Sequence, residues 1–528
     1  MRQRSTPYAR ARRSLLAAVL AATVLAACGP GTSTTPSISV ELGTTSLDVV
    51  LGGSATVQVT LTRTGTAADV ALDADGLPAW ATATFSPPVL AGDTLTSTLT
   101  LGTDGSDPGV APATFTLTVT ATGDGVTASD ELTVSVDLLS VYGRVLDVFG
   151  GAVMDAGVAV NGGPLVPVDA DGGFLGPDVA VPYDLVVVFP SLEGAFVFEG
   201  LTITGVELPV LPLATAPKAT TVSGDLSEPV GAGQFGYVCL EGLEGPVTGC
   251  GSVPEGMTTF SFPVSWVGAD AVPARVRAWV LGVEGGAVSE YVRTGYVDVE
   301  LENAVVTNAN VTLGAAPGTK HVEVWVTPPP GAIATSLTAF LRQSEHAVTP
   351  FPGMVSPYEI ATFLLPDQPG ASLVALATAA GPYGTQYAWT TAEYASGPVA
   401  LSMAQLPSPI APANGATGVD AATEFRATNP SGSPVTFAFS GDWVVYVTKS
   451  EPRTTLPDLT AYGVPAFSGD TYAWGLLVSH HAADVDQVAR EGVLTSVVYH
   501  SMMMSGGPPP AAPSGSVSIS LSRTFTAD

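Results

Sequence analysis

The sequence predicts an all-β chain folded as tandem β-sandwich domains, and three observations carry that expectation. Apolar residues alternate with threonine and serine at period two over many short runs, as strands require when one face meets a core. Charged residues are only 12% of the chain against 46% apolar. Thr, Ser, Gly and Pro supply the polarity instead, and β-branched side chains crowd a helix but fit a pleated sheet. At 528 residues the chain is too long for one core and divides into several domains.

The first element precedes any domain. Arg2, Arg4, Arg10, Arg12 and Arg13 come before an uncharged run from Ser14 to Ala27. A basic segment, a short apolar segment and small residues before a cut make a secretory signal. Leu25-Ala26-Ala27-Cys28 resembles the bacterial lipobox. The resemblance implies cleavage before Cys28, a diacylglyceryl group on its thiol, and a bacterial membrane held through acyl chains. Residues 1–27 are then a lipoprotein signal peptide, and 28–36, rich in Gly, Pro, Thr and Ser, a flexible tether. An ordinary signal cut near Ala27 is the alternative. Gly29 rather than Asp after the cysteine resembles outer-membrane lipoproteins, which favours the outer membrane or cell surface. Arg12-Arg13-Ser14-Leu15-Leu16 partly matches the twin-arginine export pattern.

Loss of those five arginines takes the net charge from −29 to −34. Such a surface repels phosphate backbones and no basic stripe offsets it, which excludes nucleic acid as a partner. The uncharged stretch Ala371–Ala392 is broken by Gly381-Pro382 and Gln386, and reads as two strands and a turn rather than a membrane span.

Within 37–137, Val57/Val59/Leu61, Phe115/Leu117/Val119 and Leu132/Val134/Val136 alternate with polar residues. With the Gly76-Leu77-Pro78 corner and Phe85-Ser86-Pro87-Pro88, the stretch resembles bacterial immunoglobulin-like modules. Within 138–216, the Val141–Val145 strand, Gly157–Val160, the Asn161-Gly162-Gly163 turn and Asp169-Ala170-Asp171-Gly172-Gly173-Phe174 follow in order. That order resembles the carboxypeptidase-regulatory-like, transthyretin-like sandwich, a spacer or accessory module without peptidase activity. Asp169 and Asp171 read as a turn, because the glycine comes too early for a calcium loop and no acid closes it.

Residues 217–316 and 317–406 read as two divergent copies of one β-sandwich. Thr221–Gly224, Phe235–Leu240, Thr259–Pro263 and Val276–Leu281 in one answer Val322–Trp325, Leu337–Leu341, Thr362–Pro366 and Leu373–Ala377 in the other. In 407–528, Val435–Ser440, Val444–Thr448, Leu456–Leu459 and Tyr472-Ala473-Trp474 resemble a fibronectin type III-like sandwich. There Ala482–Glu491 is a short helical insertion, Ser505–Ser516 a loop and Val517–Thr526 the final strand. Strung end to end, five such beads would reach roughly 150 Å.

The chemistry is sparse. No phosphate-binding loop, Cys-x-x-Cys, His-Glu-x-x-His or Gly-x-Ser-x-Gly occurs, so neither a catalytic residue, a metal site nor a cofactor is expected. His500 and Met502-Met503-Met504 read as a packed edge rather than a copper site, and adjacent His480 and His481 would face opposite ways on a strand. Beyond Cys28, the cysteines are Cys239 and Cys250, flanking a turn-rich loop in an exported chain. They are expected to form a disulfide, with two reduced thiols as the alternative. Trp80 after Leu77-Pro78, and Trp266 near Gly268, are the candidate carbohydrate contacts, since an exposed indole can stack on a sugar. The expected function is a non-enzymatic, lipid-anchored stalk for envelope organisation, adhesion or docking. A polysaccharide-binding lipoprotein or an accessory subunit of a hydrolase is the alternative.

Overall fold

The computed structural model describes residues 35–528 except 66–68, 107–109, 147–150, 210–217, 244–246, 267–268, 286, 343–347, 351–358, 369, 394–397 and 493–513. The signal segment, Cys28 and the His500–Met504 run lie outside the described residues. The chain is a tandem array of β-sandwiches, five in number among the described residues.

In the first sandwich, Ser37–Leu42, Ser54–Thr64, Thr96–Thr103 and Ala81–Ser86 form one sheet. Ser46–Val50, Val126–Asp137, Ala113–Gly123, Val70–Asp75 and Val89–Leu90 form the other. Alternation decides the faces. Val57, Val59 and Leu61 are buried, while Gln58 between them and Thr62 after them are exposed. Each buried side chain of this kind contributes about 2 kcal/mol. Asp124 and Gly125, with φ of 56° and 74°, close a two-residue hairpin whose positive φ values match the strand twist.

The second, third and fourth sandwiches share one pairing scheme. Their first strands (Leu139–Leu146, Lys218–Asp225, Thr319–Thr327) pair antiparallel with Gly173–Val179, Thr259–Trp266 and Ile360–Pro366 respectively. The same strands pair parallel with Val206–Pro209, Thr307–Asn308 and Val399–Ser402. In the facing sheets, Gly157–Val160, Gln234–Gly242 and Ile333–Arg342 pair with Tyr183–Phe189, Ala271–Glu284 and Ser372–Gly381. Those in turn pair with Gly194–Leu201, Ala287–Glu302 and Gly384–Glu393. The parallel contact explains a glycine in two of the copies. A Cβ on Gly143 would lie 2.1 Å from the Val206 carbonyl oxygen, and one on Gly224 1.9 Å from that of Ala309.

The last sandwich does not follow the fourth as a further bead. It closes back between the second and the fourth. Its edge strand Val444–Lys449 pairs parallel with Gly194–Leu201, from Gly194↔Val444 to Phe198↔Thr448. On its other side Ser514–Ser520 pairs antiparallel with Gly384–Glu393. A sheet of fourteen strands thus runs through three sandwiches. The end-to-end string expected from the sequence is therefore wrong for these three units. An open string would leave four sheet edges with unpaired backbone groups, and lateral pairing satisfies them. The expected final strand is likewise two strands, Ser514–Ser520 and Arg523–Ala527.

The helix Val485–Glu491 is capped by the Asp484 carboxylate, which accepts from the Gln487 N–H at 2.8 Å. It serves as a latch rather than an appended insertion. Ala482, Val485, Val488 and Ala489 lie in one core with Leu185, Val187, Phe196 and Phe198 of the second sandwich. Asp486 accepts from the Thr202 N–H at 2.9 Å and the Thr202 hydroxyl at 2.5 Å. Lys449 pairs with Glu199, and Tyr446 stacks on Phe196 at 4.6 Å.

The other junctions are built differently. The third sandwich lays Trp279, Leu281 and Tyr291 into the core of the fourth, and the Tyr291 hydroxyl donates to the Leu364 carbonyl at 2.9 Å. The first meets the second where the Val181 N–H donates to the Leu51 carbonyl at 2.8 Å. Gly52 is required there. Its φ is +85°, and a Cβ would lie 1.6 Å from the Val181 oxygen.

Candidate functional site

Cys239 and Cys250 face each other on paired strands, Gln234–Gly242 and Cys250–Val253, and are joined by a disulfide across a Cα separation of 4.1 Å. A buried ion pair bridges the Cys239 strand to its neighbour Ala271–Glu284, where Arg277 Nε donates to Glu241 at 2.6 Å. The bond staples the two paired strands together.

Of the two candidate tryptophans, the structure removes Trp266 from any carbohydrate platform. Trp266 is 3% exposed and its Nε1–H donates to the Ala269 carbonyl at 2.8 Å, so the indole is a core side chain. The alternation along Thr259–Trp266 turns it inward. Trp80 is half-buried and sets its ring against Phe115 at 86°, 5.7 Å between centroids. The Trp266 ring therefore offers no open face of the kind that sugar stacking needs. The aspartates at 169 and 171 form a turn, as their spacing predicts. The Asp169 carboxylate accepts from the N–H groups of Asp171 and Gly173 at 2.9 and 2.7 Å.

At the junction of the fourth and last sandwiches, Trp389, Ser402, His480, His481 and Ser516 line an opening of about 380 Å³. His480 Nε2 lies 2.6 Å from the Ser518 hydroxyl. Burial, reinforced by the adjacent His481, pushes His480 down to about 4. Its Nδ1 is buried without a partner. A nucleophilic serine needs an oriented base and open space for substrate. Ser518 is fully buried, and among the described residues no carboxylate holds that imidazole. The pair is a packed polar contact. His481 instead bonds Glu491 at 2.6 Å. Burial tends to raise Glu491, but hydrogen bonds from His481 and Gln487 hold it below the usual carboxylate range.

A second opening, of about 320 Å³, lies at one end of the last sandwich. Two turns build it, one entering Val444–Lys449 and the other entering Thr471–Ser479. Its walls are Trp443, Phe467 and Tyr472, with Asp442 and Asp470 at the rim. Phe467 and Tyr472 meet edge to face at 75°, 5.0 Å between centroids. Tyr472 stacks on the buried Phe525 at 5.5 Å. Its hydroxyl accepts from the Ser468 N–H at 3.1 Å and donates to the Ser468 carbonyl at 3.3 Å. Its ring lies against the bare backbone of Gly441, where a Cβ would sit 2.5 Å from the ring. The Gly469 N–H ties the second turn to the Ala527 carbonyl at 3.1 Å. The sequence marked Tyr472 only as a strand residue, and none of these residues as a site. A signal was present, because Gly441-Asp442-Trp443 and Gly469-Asp470-Thr471-Tyr472 each place a Gly-Asp turn before an aromatic residue.

No protein-family model matches the chain, and no curated protein does. Among solved structures it is similar to the Bacillus anthracis TIE protein, at 9% identity and a TM-score of 0.19, over 69% of this chain and 74% of that one. It is also similar to the sialic acid binding region of the Streptococcus sanguinis SK1 adhesin, at 10% identity and 0.20, over 53% and 78%. Domains 4–9 of the surface layer protein SbsC match at 13% and 0.15, over 84% and 64%. None of the three overlays the chain as a whole, and nothing of their binding transfers to it.

Proposed function

We propose that the chain is a non-enzymatic docking protein of the bacterial cell surface, held to a membrane by acyl chains on Cys28. The observation that carries this reading is the fourteen-stranded sheet. It joins three sandwiches laterally into a broad body suited to presenting surfaces, while the Ser518–His480 contact lacks the access that turnover requires. The basic leader, the lipobox-like Leu25–Cys28 and the Gly/Pro/Thr/Ser tether support export and anchoring. Two acyl signals together bind a membrane firmly, at about 0.8 kcal/mol per buried CH₂. The first sandwich is read as immunoglobulin-like, the second as carboxypeptidase-regulatory-like and the last as fibronectin type III-like, all of them modules that space and present.

Cys28→Ser tests the anchor. The variant is expected in the soluble fraction and the parent chain in membranes. Equal membrane retention of the two would refute lipidation. Cross-linking on intact cells followed by pull-down tests docking, and a chain that captures no envelope partner specifically would overturn it.

A further inference from the structure

We infer that the cleft at the end of the last sandwich binds an organic cation, an ammonium or guanidinium on an aliphatic stem, as on a lysine or arginine of a partner polypeptide. The inference deepens the docking reading and rests on it for the partner being a polypeptide.

Shape comes first. Phe467 and Tyr472 stand at 75° to each other, so they form two walls of a corner rather than one flat plate, and Trp443 adds a third side. A sugar ring stacks best on one open aromatic face. A compact cation is instead held by several ring faces at once, through attraction to their negative quadrupoles.

Charge points the same way. Asp442 and Asp470 are exposed at the rim, and neither has an ion-pair partner among the described residues. A cation entering between the rings would gain both carboxylates. The chain as a whole carries −29, which draws cations toward it and repels anions. A metal ion fits poorly. Among the described residues no group of three or more His, Cys, Asp or Glu could hold one, and Asp442 and Asp470 are the only carboxylates among the residues lining the opening.

The site is also built in advance. Tyr472 is fixed on one side by Phe525 and on another by the Gly441 backbone, and its hydroxyl pins the Ser468–Asp470 turn. Rigid walls lose little entropy when a ligand enters.

Calorimetric titration of the full chain with Nα-acetyl-lysine amide and Nα-acetyl-arginine amide tests the inference. Saturable binding in roughly the millimolar range is expected for such small probes. It should weaken several-fold between about 50 and about 500 mM salt. The paired variant Asp442→Asn with Asp470→Asn changes only exposed rim groups, and should weaken binding about tenfold while leaving the melting transition in place. Trp443→Ala should weaken it similarly.

Absence of saturable cation binding would overturn the inference, as would equal binding by the paired variant. Binding of glucose or N-acetylglucosamine without either amide would assign the cleft to sugars and overturn it too. Tetramethylammonium binding when neither amide binds would overturn the polypeptide source. Any of these failures leaves the docking reading intact, since cross-linking on cells tests that separately. Failure of the cross-linking with the amides still bound would break the docking reading alone.

Discussion

The first and second sandwiches use the same kind of strand differently. On Ser54–Thr64 of the first, buried and open positions alternate, and the outward residues are mostly polar. On Tyr183–Phe189 of the second, the run Leu185-Val186-Val187-Val188-Phe189 is buried throughout. Leu185 and Val187 fill the sandwich's own core, while Val186 and Val188 fill the core of the last sandwich beside Phe437 and Trp474. The fourth sandwich repeats the device. Leu373 and Ala375 face inward, and Val374 and Leu376 pack with Val517 of the last. Continuous apolar runs are what strands covered on both faces look like. The difference teaches that a sandwich with a wet outer face is a separable bead, whereas one with a dry outer face is half of a larger core.

The largest effect should come from a charge placed on the dry outer face, with the same change on the wet face as its control. Val188→Asp would bury an unpaired carboxylate and is expected to cost roughly 4 kcal/mol or more. Gln58→Asp, at an exposed position of the first sandwich, should stay within about 0.5 kcal/mol. Denaturant titration of both variants checks the contrast. Similar losses would mean that the outer face of the second sandwich is not a core.

The seam at His480 adds a pH test. In the unfolded chain this imidazole takes its proton near pH 6.5, and in the folded chain near 4. Because the unfolded state binds more protons in between, stability is complete above about pH 6.5 and falls as pH drops toward 4. The loss approaches about 3 kcal/mol. His481 and Glu491 stand beside it, and Glu491, held low, adds its own loss as pH falls below about 4.5. His480→Gln should flatten the slope of melting temperature between pH 6.5 and 4.5, and an unchanged slope would place the pH dependence elsewhere.

The disulfide is expected to contribute about 3 kcal/mol for a loop of this size. Replacing Cys239 and Cys250 by alanine should lower amide-exchange protection in the third sandwich and leave the first unaffected. A uniform loss across the chain would mean the sandwiches unfold as one.

A smaller change should follow from Asp486→Ala, which removes both contacts to Thr202. A loss of about 2 kcal/mol is expected. It should show as faster exchange along Gly194–Leu201 and Val485–Glu491, with Ser54–Thr64 unchanged. Protection lost in the first sandwich as well would contradict its separateness.

Much of the local structure is legible in the residues. Val57/Val59/Leu61 declare their strand, Asn161-Gly162 its turn, and the uncharged stretch Ala371–Ala392 its hairpin. The helix is also legible, from Asp484 at its start and Gly492 at its end. The site was less so. Trp266 stood beside loop residues in sequence but is turned inward by strand alternation. The aromatic cleft draws on two turns nearly thirty residues apart, and only their shared Gly-Asp-aromatic pattern linked them.

By itself, the sequence determined which segments are strands, where they turn, and that the cysteines can close a hairpin. These follow from φ preferences and from which side chains water rejects, and both are local. Only the tertiary structure decided which edges meet. Backbone N–H and C=O groups make those pairings, and they are nearly the same in every residue. Gly194–Leu201 therefore carries no local mark saying that Val444–Lys449 will lie beside it. The dry outer faces of Tyr183–Phe189 and Ser372–Gly381 announced that something must cover them, and the chain folding back supplied it.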